Sequence, residues 1–557
     1  MVVIPRSIPP CRDPGSPGRN AEAPGGAWAS QGPFAGNRTN CQQLTGDEKR
    51  QTLRPGPLRT RGRPPDGSPR SAVTKRQPMH QDRVASSAED PLASRLAERI
   101  CAFDRSGATA AALAAARASI LDTIAVTLAG LREPCTRLLL ETPGVASAPG
   151  PSLILGTDRR TSALDATLVN GTASHALDYD DFSGVFGGHQ SVPLVAALFA
   201  LGEERQASGR ELLLAYLVGV ETEIRLARAV NYHHYDKGWH PTSTLGTIGA
   251  AAAAARLLRL DAQRTAMALS IAPSLSSGLK ANFGTMTKPL HVGHCGRNGL
   301  LAALLAERGF EANARVLEHH QGFFNVFNGP GLFDGDKLLD GWGAPLEIEQ
   351  PSIALKQFPC CGSTHPAIAM MLALVREEAV RAEEVRHIEI LPHARRLRHT
   401  NTPVPATPLQ AKFSVQYAVV RALVDGAVRL KDFEGEAHLE PEIRRLLAVT
   451  EARPHPDMAD DAPEQWGAEV IVSLADGRRL SRRVDNLVGR GGDNPMSRGE
   501  LWEKFADCAA RALPRERIAP LFERLEALDA VEDVNHVTRL ACVPDAVVRR
   551  GHATMQH

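Results

Sequence analysis

The stretch Gly284-Thr-Met-Thr-Lys-Pro-Leu-His-Val-Gly-His-Cys-Gly-Arg-Asn-Gly299 sets Lys288, His291, His294 and Arg297 within one short span. It lies between two long segments whose apolar residues recur at intervals of three and four, the period of buried helices. Pro289 and the glycines argue against a continuous helix through its first half. A turn is therefore expected there, with a helix from Gly296 to Arg308. A cation held in a turn beside buried helices is costly unless it faces a negative partner. The simplest such partner is an anionic substrate.

Working outward, the helical period extends in both directions. Helices are expected over 91–103, 109–130, 163–175, 192–203, 211–230, 244–258 and 262–272. Joined by short loops, they define a helical domain spanning residues 89–352. The character changes after Pro351. Residues 385–392 alternate as a strand, and 468–474, Asp476-Gly477 and 479–484 read as a β-hairpin. Helical patterns at 366–378 and 414–424 complete a smaller α+β lid domain over 353–490. Ser497, with Glu500 at capping-box spacing, opens the C-terminal helices of 491–545, which are expected to return to the helical domain. The fold class is thus mainly α: a large all-helical domain plus a smaller α+β domain. Residues 1–88 are a Pro/Gly-rich tail with Arg59, Arg61 and Arg63, expected to be disordered because it cannot bury enough apolar area to offset its ordering entropy. An early start codon would account for it, as would a functional tail.

Composition excludes several classes. The 557 residues carry 64 basic and 63 acidic side chains, which gives no electrostatic case for nucleic acid or a membrane surface. A hydrophobic content of 43% supports a sizeable core. Nine cysteines without a CxxC pair do not suggest a zinc or iron–sulfur site. An odd number of thiols fits a reducing, cytoplasmic setting. No run of 18 apolar residues is present, so no transmembrane helix is expected.

Four segments hold most of the polar residues that interrupt apolar patterns: His175-Ala-Leu-Asp178-Tyr-Asp180-Asp181 with Gly187-Gly188-His189; Gly238-Trp-His240-Pro-Thr-Ser-Thr; the Lys288 segment; and Lys356-Gln-Phe-Pro-Cys360-Cys361-Gly-Ser-Thr-His365. With GFFNVFNG at 322–329, these segments, in this order, resemble the MmgE/PrpD family, which includes 2-methylcitrate dehydratase and cis-aconitate decarboxylase. The resemblance spans residues 90 to 540. It implies a large helical domain, a smaller lid domain, a homodimer, and action on small di- and tricarboxylates with neither metal nor organic cofactor.

Carried over motif by motif, the resemblance marks Asp178, His189, His240, Lys288 and Tyr417 as catalytic, the last within Phe413-Ser-Val-Gln-Tyr417. It marks Lys356 as a substrate-binding residue. Cys361, Arg297 and His291 are further candidates for substrate binding. Two positions depart from the decarboxylase pattern: Phe182 stands where Thr is common, and Cys361 where those enzymes carry His. Replacing an imidazole with a thiol removes a proton carrier that titrates near about 6.5.

These residue types suit proton transfer beside a carboxylate. An imidazole can serve as acid or base near neutral pH, and fixed ammonium groups can stabilise an enediolate. His189 and His240 are the expected acid/base pair. Asp178 would orient a histidine or act as a base itself. The bland readings remain open: Asp180 and Asp181 as caps of a turn, His294 and His365 as local packing residues, Cys360 and Cys361 as inert thiols, Arg297 as a helix cap. The favoured expectation is a 2-methylcitrate dehydratase-like hydro-lyase, with propionate catabolism as its setting. The alternatives are a cis-aconitate decarboxylase-like carbon–carbon lyase, a dicarboxylate epimerase or isomerase, and a catalytically silent member. Closure of the lid is expected about Pro351 and Val488.

Overall fold

The computed structural model describes residues 89–350, 353–458, 466–487, 490–492 and 494–544. The tail and the two connections at Pro351 and Val488 lie outside the described residues. The chain begins with helices α1 (Leu92–Ala102), α2 (Ala110–Gly130), α3 (Pro134–Glu141), α4 (Ala163–His175), α5 (Ser191–Arg205), α6 (Gly209–Val230), α7 (His233–Asp236), α8 (Pro241–Leu257), α9 (Ala262–Ile271), α10 (Thr287–Glu307) and α11 (Phe323–Phe327). Their starts follow local chemistry. Thr109 and Ser162 accept hydrogen bonds from Ala112 N and Asp165 N. Ser208 and Glu211 form a reciprocal capping box. Pro241 occupies the first turn of α8, where its missing N–H costs nothing.

These helices share one hydrophobic core. α8 is buried all round, and Ala250 to Ala255 have no exposed surface. The alanine run is therefore a packing surface on every side. α10 lies against α4, α5, α8 and α9. The α4–α10 crossing is close because glycines meet there: a Cβ on Gly171 would lie 2.8 Å from Gly293 Cα. α2 has the length and composition of a membrane span, with Arg117 and Asp122 interrupting its apolar run. Yet 67% of that stretch is buried inside the fold.

A second core is built on a four-stranded sheet. Two short ribbons precede it: β1 (Ser152–Leu153) with β2 (Arg160–Thr161), and β3 (Phe182–Ser183) with β4 (Ile353–Ala354). The sheet comprises β5 (Val385–Pro392), β6 (Thr450–Ala452), β7 (Ala468–Leu474) and β8 (Arg479–Val484), in the order β6-β5-β7-β8. Only the β5–β6 pair is parallel. β7 is central and nearly all buried. β8 alternates exposed with half-buried residues, and its arginines guard the edge. Helices α12 (His365–Glu378), α13 (Ala394–Leu397), α14 (Pro408–Lys412), α15 (Val415–Asp425) and α16 (Pro441–Leu447) belong to this part. Then α17 (Arg498–Ala509), α18 (Arg515–Glu526) and α19 (Asn535–Thr538) follow, and Phe505, Leu521, Phe522 and Val534 join the first core. Ser497 and Glu500 form the expected capping box.

One expectation is corrected. α10 starts at Thr287, not Gly296. Pro289 sits in its first turn, where no intrahelical donor is lost. The glycines lie where neighbouring helices approach. Lys288 is thus on a helix rather than in a turn, which fixes its direction.

Candidate active site

The site grows from the end of α4. The helix stops after His175, and Asp178 adopts a left-handed conformation, φ 54°. Aspartate tolerates that region better than most residues. Beyond this turn the side chains alternate. Asp178 and Asp180 face one cluster of basic groups, whereas Tyr179 donates from its hydroxyl to Gln357 O and Asp181 accepts from Ser191. The β3–β4 ribbon then brings the segment leading to Lys356 beside this loop. His189 arrives on the next turn. A Cβ on Gly188 would lie 2.5 Å from Thr242 Oγ1, so glycine lets the loop close on the start of α8. His189 N then donates to the same hydroxyl at 2.9 Å.

The resulting geometry is a chain of alternating carboxylates and nitrogen bases. Asp180 Oδ2 lies 2.8 Å from His175 Nδ1 and 2.9 Å from His189 Nδ1. His189 Nε2 lies 3.6 Å from Asp178 Oδ1. The same oxygen pairs with Lys288 Nζ at 2.8 Å and Lys356 Nζ at 3.2 Å. Lys356 also donates to Asp178 O at 2.5 Å. The His175 and His189 rings meet edge to face at 4.5 Å. His240 follows, 6.2 Å from His175 between centroids, with its Nδ1 3.2 Å from His291 Nδ1. That contact requires one ring to carry a proton and the other a lone pair. The side chains of Asp178, Lys288 and His189 are 21%, 15% and 13% exposed, whereas those of His175 and Asp180 are fully buried. A ligand therefore meets the first three, and the other two form a floor.

Burial opposes ionisation of Asp178, but Lys288, Lys356 and the neighbouring histidines overcome it and hold the carboxyl well below the usual range. Asp180 is held low in the same way, with His175 and His189 outweighing burial. His240 is pushed well below its ordinary value by burial first and then by Lys288 and the adjacent imidazoles, so it is neutral near pH 7. His175 is pushed down to about 4, mainly by burial. His291 is lowered by burial and by His294. Burial works against the charge of Lys356, and the facing Asp178 more than restores it.

The structure thus brings together Asp178, His189, His240, Lys288, Lys356 and His291. Cys361 is close enough for Asp178 and Lys356 to act on it. Burial, then Asp178, keeps it a thiol rather than a thiolate. Tyr417 is a correction. It is fully buried in the second core, and its hydroxyl donates to Asp432 O and accepts from Arg421 Nε. The residue that the motif marked as catalytic therefore packs and braces the smaller domain. Among the described residues no hydrogen bond or ion pair joins Arg297 to the cluster, and its Nε is buried without a hydrogen-bond partner.

Three participants were not picked out from sequence. His175 and Asp180 stand in the motif, but only their spacing around a turn makes them His189's support. Lys504, from α17, reaches the back of the same loop and carried no sequence signal.

His175, Asp178, Asp180 and His189 place their ligand atoms within 4.8 Å of one another, which is metal-like. Two ammonium groups already crowd Asp178 Oδ1, and Asp180 is shared by two imidazoles. A divalent ion would meet strong repulsion there. The donor set fits an anion-binding, proton-handling site better than a metal centre.

The MmgE/PrpD N-terminal domain matches residues 94–335 and the MmgE/PrpD C-terminal domain matches 358–527. Cis-aconitate decarboxylase of Mus musculus is 30% identical over 437 residues, covering 76% of this chain and 87% of its own. The Homo sapiens protein of that name is 30% identical over 438 residues, covering 76% and 88%. That of Aspergillus terreus is 25% identical over 456 residues, covering 76% and 90%. With both domain models in sequence order over most of its length, the chain belongs to the MmgE/PrpD family.

Proposed function

We propose that this protein is a carboxy-lyase acting on a small unsaturated polycarboxylate of the cis-aconitate class. The observation that carries the reading is the Lys288–Asp178–Lys356 triad beside His189. Two ammonium groups on one partly accessible carboxylate oxygen form a cradle where a substrate carboxylate can share or displace Asp178. His189 sets Nδ1 2.9 Å from Asp180 Oδ2, which leaves Nε2 as the nitrogen nearer that cradle. The relatives' names favour this reaction over the hydro-lyase expected from the motifs.

In such a reaction the bond to one carboxylate breaks and CO₂ leaves. The electron pair moves into the adjoining π system toward a second carboxylate. A proton from an imidazole then completes the new C–H bond. Lys288 and Lys356 offset the charge that develops in the transition state. Positioned proton transfer supplies roughly 10²–10⁴-fold. His240, neutral near pH 7, suits a base better than a store of protons.

Cys361 supports a second reading, the hydro-lyase. It is protonated near neutrality and does not take over the role of the histidine that the decarboxylase pattern has there. Removing a proton beside a carboxylate and expelling hydroxide would use the same triad and His240. Purified protein given cis-aconitate, citrate and 2-methylcitrate separates the two. CO₂ released from cis-aconitate, without alkene absorbance from the other two, is the expected result. Alkene formation from 2-methylcitrate without CO₂ would establish the second reading. Inertness toward all three would reject both.

A further inference from the structure

Behind the site, α17 sends Lys504 into the protein, where it is only 6% exposed. Its ammonium donates to Tyr179 O at 2.9 Å and Lys356 O at 2.8 Å, and lies 2.5 Å from Asp122 Oδ1 on α2. It also sits 4.0 Å from the centre of the Tyr179 ring. The two carbonyls take hydrogen bonds from the ammonium, and Asp122 faces it as an ion-pair partner. Asp122 is itself 1% exposed. A buried ion pair of this kind adds little stability compared with apolar side chains of similar size, so packing alone does not explain it. The two carbonyls are informative. Tyr179 lies between Asp178 and Asp180, and Lys356 carries the ammonium that pairs with Asp178. One group therefore ties together the two backbone segments whose separation sets the triad.

We propose that Lys504 is a positioning residue for the reaction: its ammonium clamps the main chain at Tyr179 and Lys356, with Asp122 as the counter-charge that allows it to be buried. This role rests on the reading of the Asp178 cluster as the reacting site. It is tested in the full chain with two double variants. K504M/D122L removes the charges and the donors together. K504Q/D122N removes the charges and keeps an amide donor.

K504M/D122L is expected to keep the wild-type circular dichroism and melting profile while kcat falls about 10²-fold and KM rises, as a displacement of about 1 Å can cause. K504Q/D122N is expected to recover most of that loss. Wild-type kinetics in K504M/D122L would overturn the proposal. So would its failure to fold, which would make the pair structural, or a glutamine variant no better than the methionine one. The wild-type chain on cis-aconitate decides the reaction by itself. If it shows no turnover, citrate binding by calorimetry replaces kcat, and loss in the methionine variant with retention in the glutamine variant still supports the clamp. A wild-type chain that neither turns over nor binds citrate overturns both the site and this role.

Discussion

Asp178 Oδ1 accepts two ammonium groups and faces an imidazole, so each neighbour can be tested separately. Lys288 is the more exposed of the two lysines and lies on the rim that a ligand would meet. Lys288→Ala is expected to lower kcat by about 10²–10³-fold, the usual loss for one electrostatic partner of a transition state. Its melting temperature should stay close to wild type, because Lys356 still pairs with Asp178. Steady-state kinetics beside a thermal melt checks both statements, and full activity would misplace the site. Tyr417 should behave in the opposite way. Tyr417→Phe loses bonds to Asp432 O and Arg421 within the second core. A stability loss of about 1–2 kcal/mol is expected, with kcat and KM unchanged. Denaturant unfolding and the same assay measure it, and a collapse in kcat at wild-type stability would return Tyr417 to the catalytic set.

At the scale of elements, the α4–α10 crossing sets how far Lys288 stands from Asp178. Lys288 lies in the first turn of α10 and Asp178 in the turn just past α4, and the two glycines decide how closely the axes approach. A Cβ on Gly293 would lie 2.1 Å from Leu168 O, a main-chain atom that cannot swing away. Gly293→Ala is therefore expected to force the helices apart, costing about 1–3 kcal/mol as overpacking does. It should also reduce turnover, although the residue contacts no substrate. A melting curve and an activity measurement on the same sample test this, and a variant matching wild type in both would show that the crossing has slack. Residues 284–299 show why the chain alone suggests a later start for α10. Proline and glycine signal a turn, and only the location of Pro289 in the first helical turn removes that signal.

For the whole molecule, buried titratable groups pull stability in opposite directions with pH. His175, pushed down to about 4, stays neutral in the fold while the unfolded imidazole takes a proton below about 6.5. Its contribution therefore falls as pH drops from 6.5 to 4. Asp181 is raised to about 8, chiefly by burial, with the bond from Ser191 opposing. The folded state holds that proton where the unfolded chain has lost it, so its contribution falls as pH rises from about 4 to about 8. A difference curve isolates one group from the other. Asp181→Asn should match wild-type stability near pH 4 and gain on it up to pH 8, by at most about 1.4 kcal/mol per pH unit. Above pH 8 the gap should stay constant. Thermal melts of both proteins across this range check it, and a pH-independent difference would show that Asp181 is ionised in the fold.

The chain by itself determined most of the long helices and three of the four strands of the larger sheet, because burial imposes periods of 3.6 and 2 that survive in the order of residues. Strands β5, β7 and β8 fall where alternation placed them. The motifs also single out Asp178, His189, His240, Lys288 and Lys356 as one group, and the fold places them together. Tertiary structure alone decided the rest. Asp180 became the support of two histidines rather than a turn cap because α4 ends where His189 returns. Tyr417 became a core residue because α15 packs its face inward. Lys504 joined the site across more than 300 residues of chain, since its separation from Tyr179 is 325 positions. Contacts over such distances arise from packing, and neither local propensity nor the spacing of a motif contains that information.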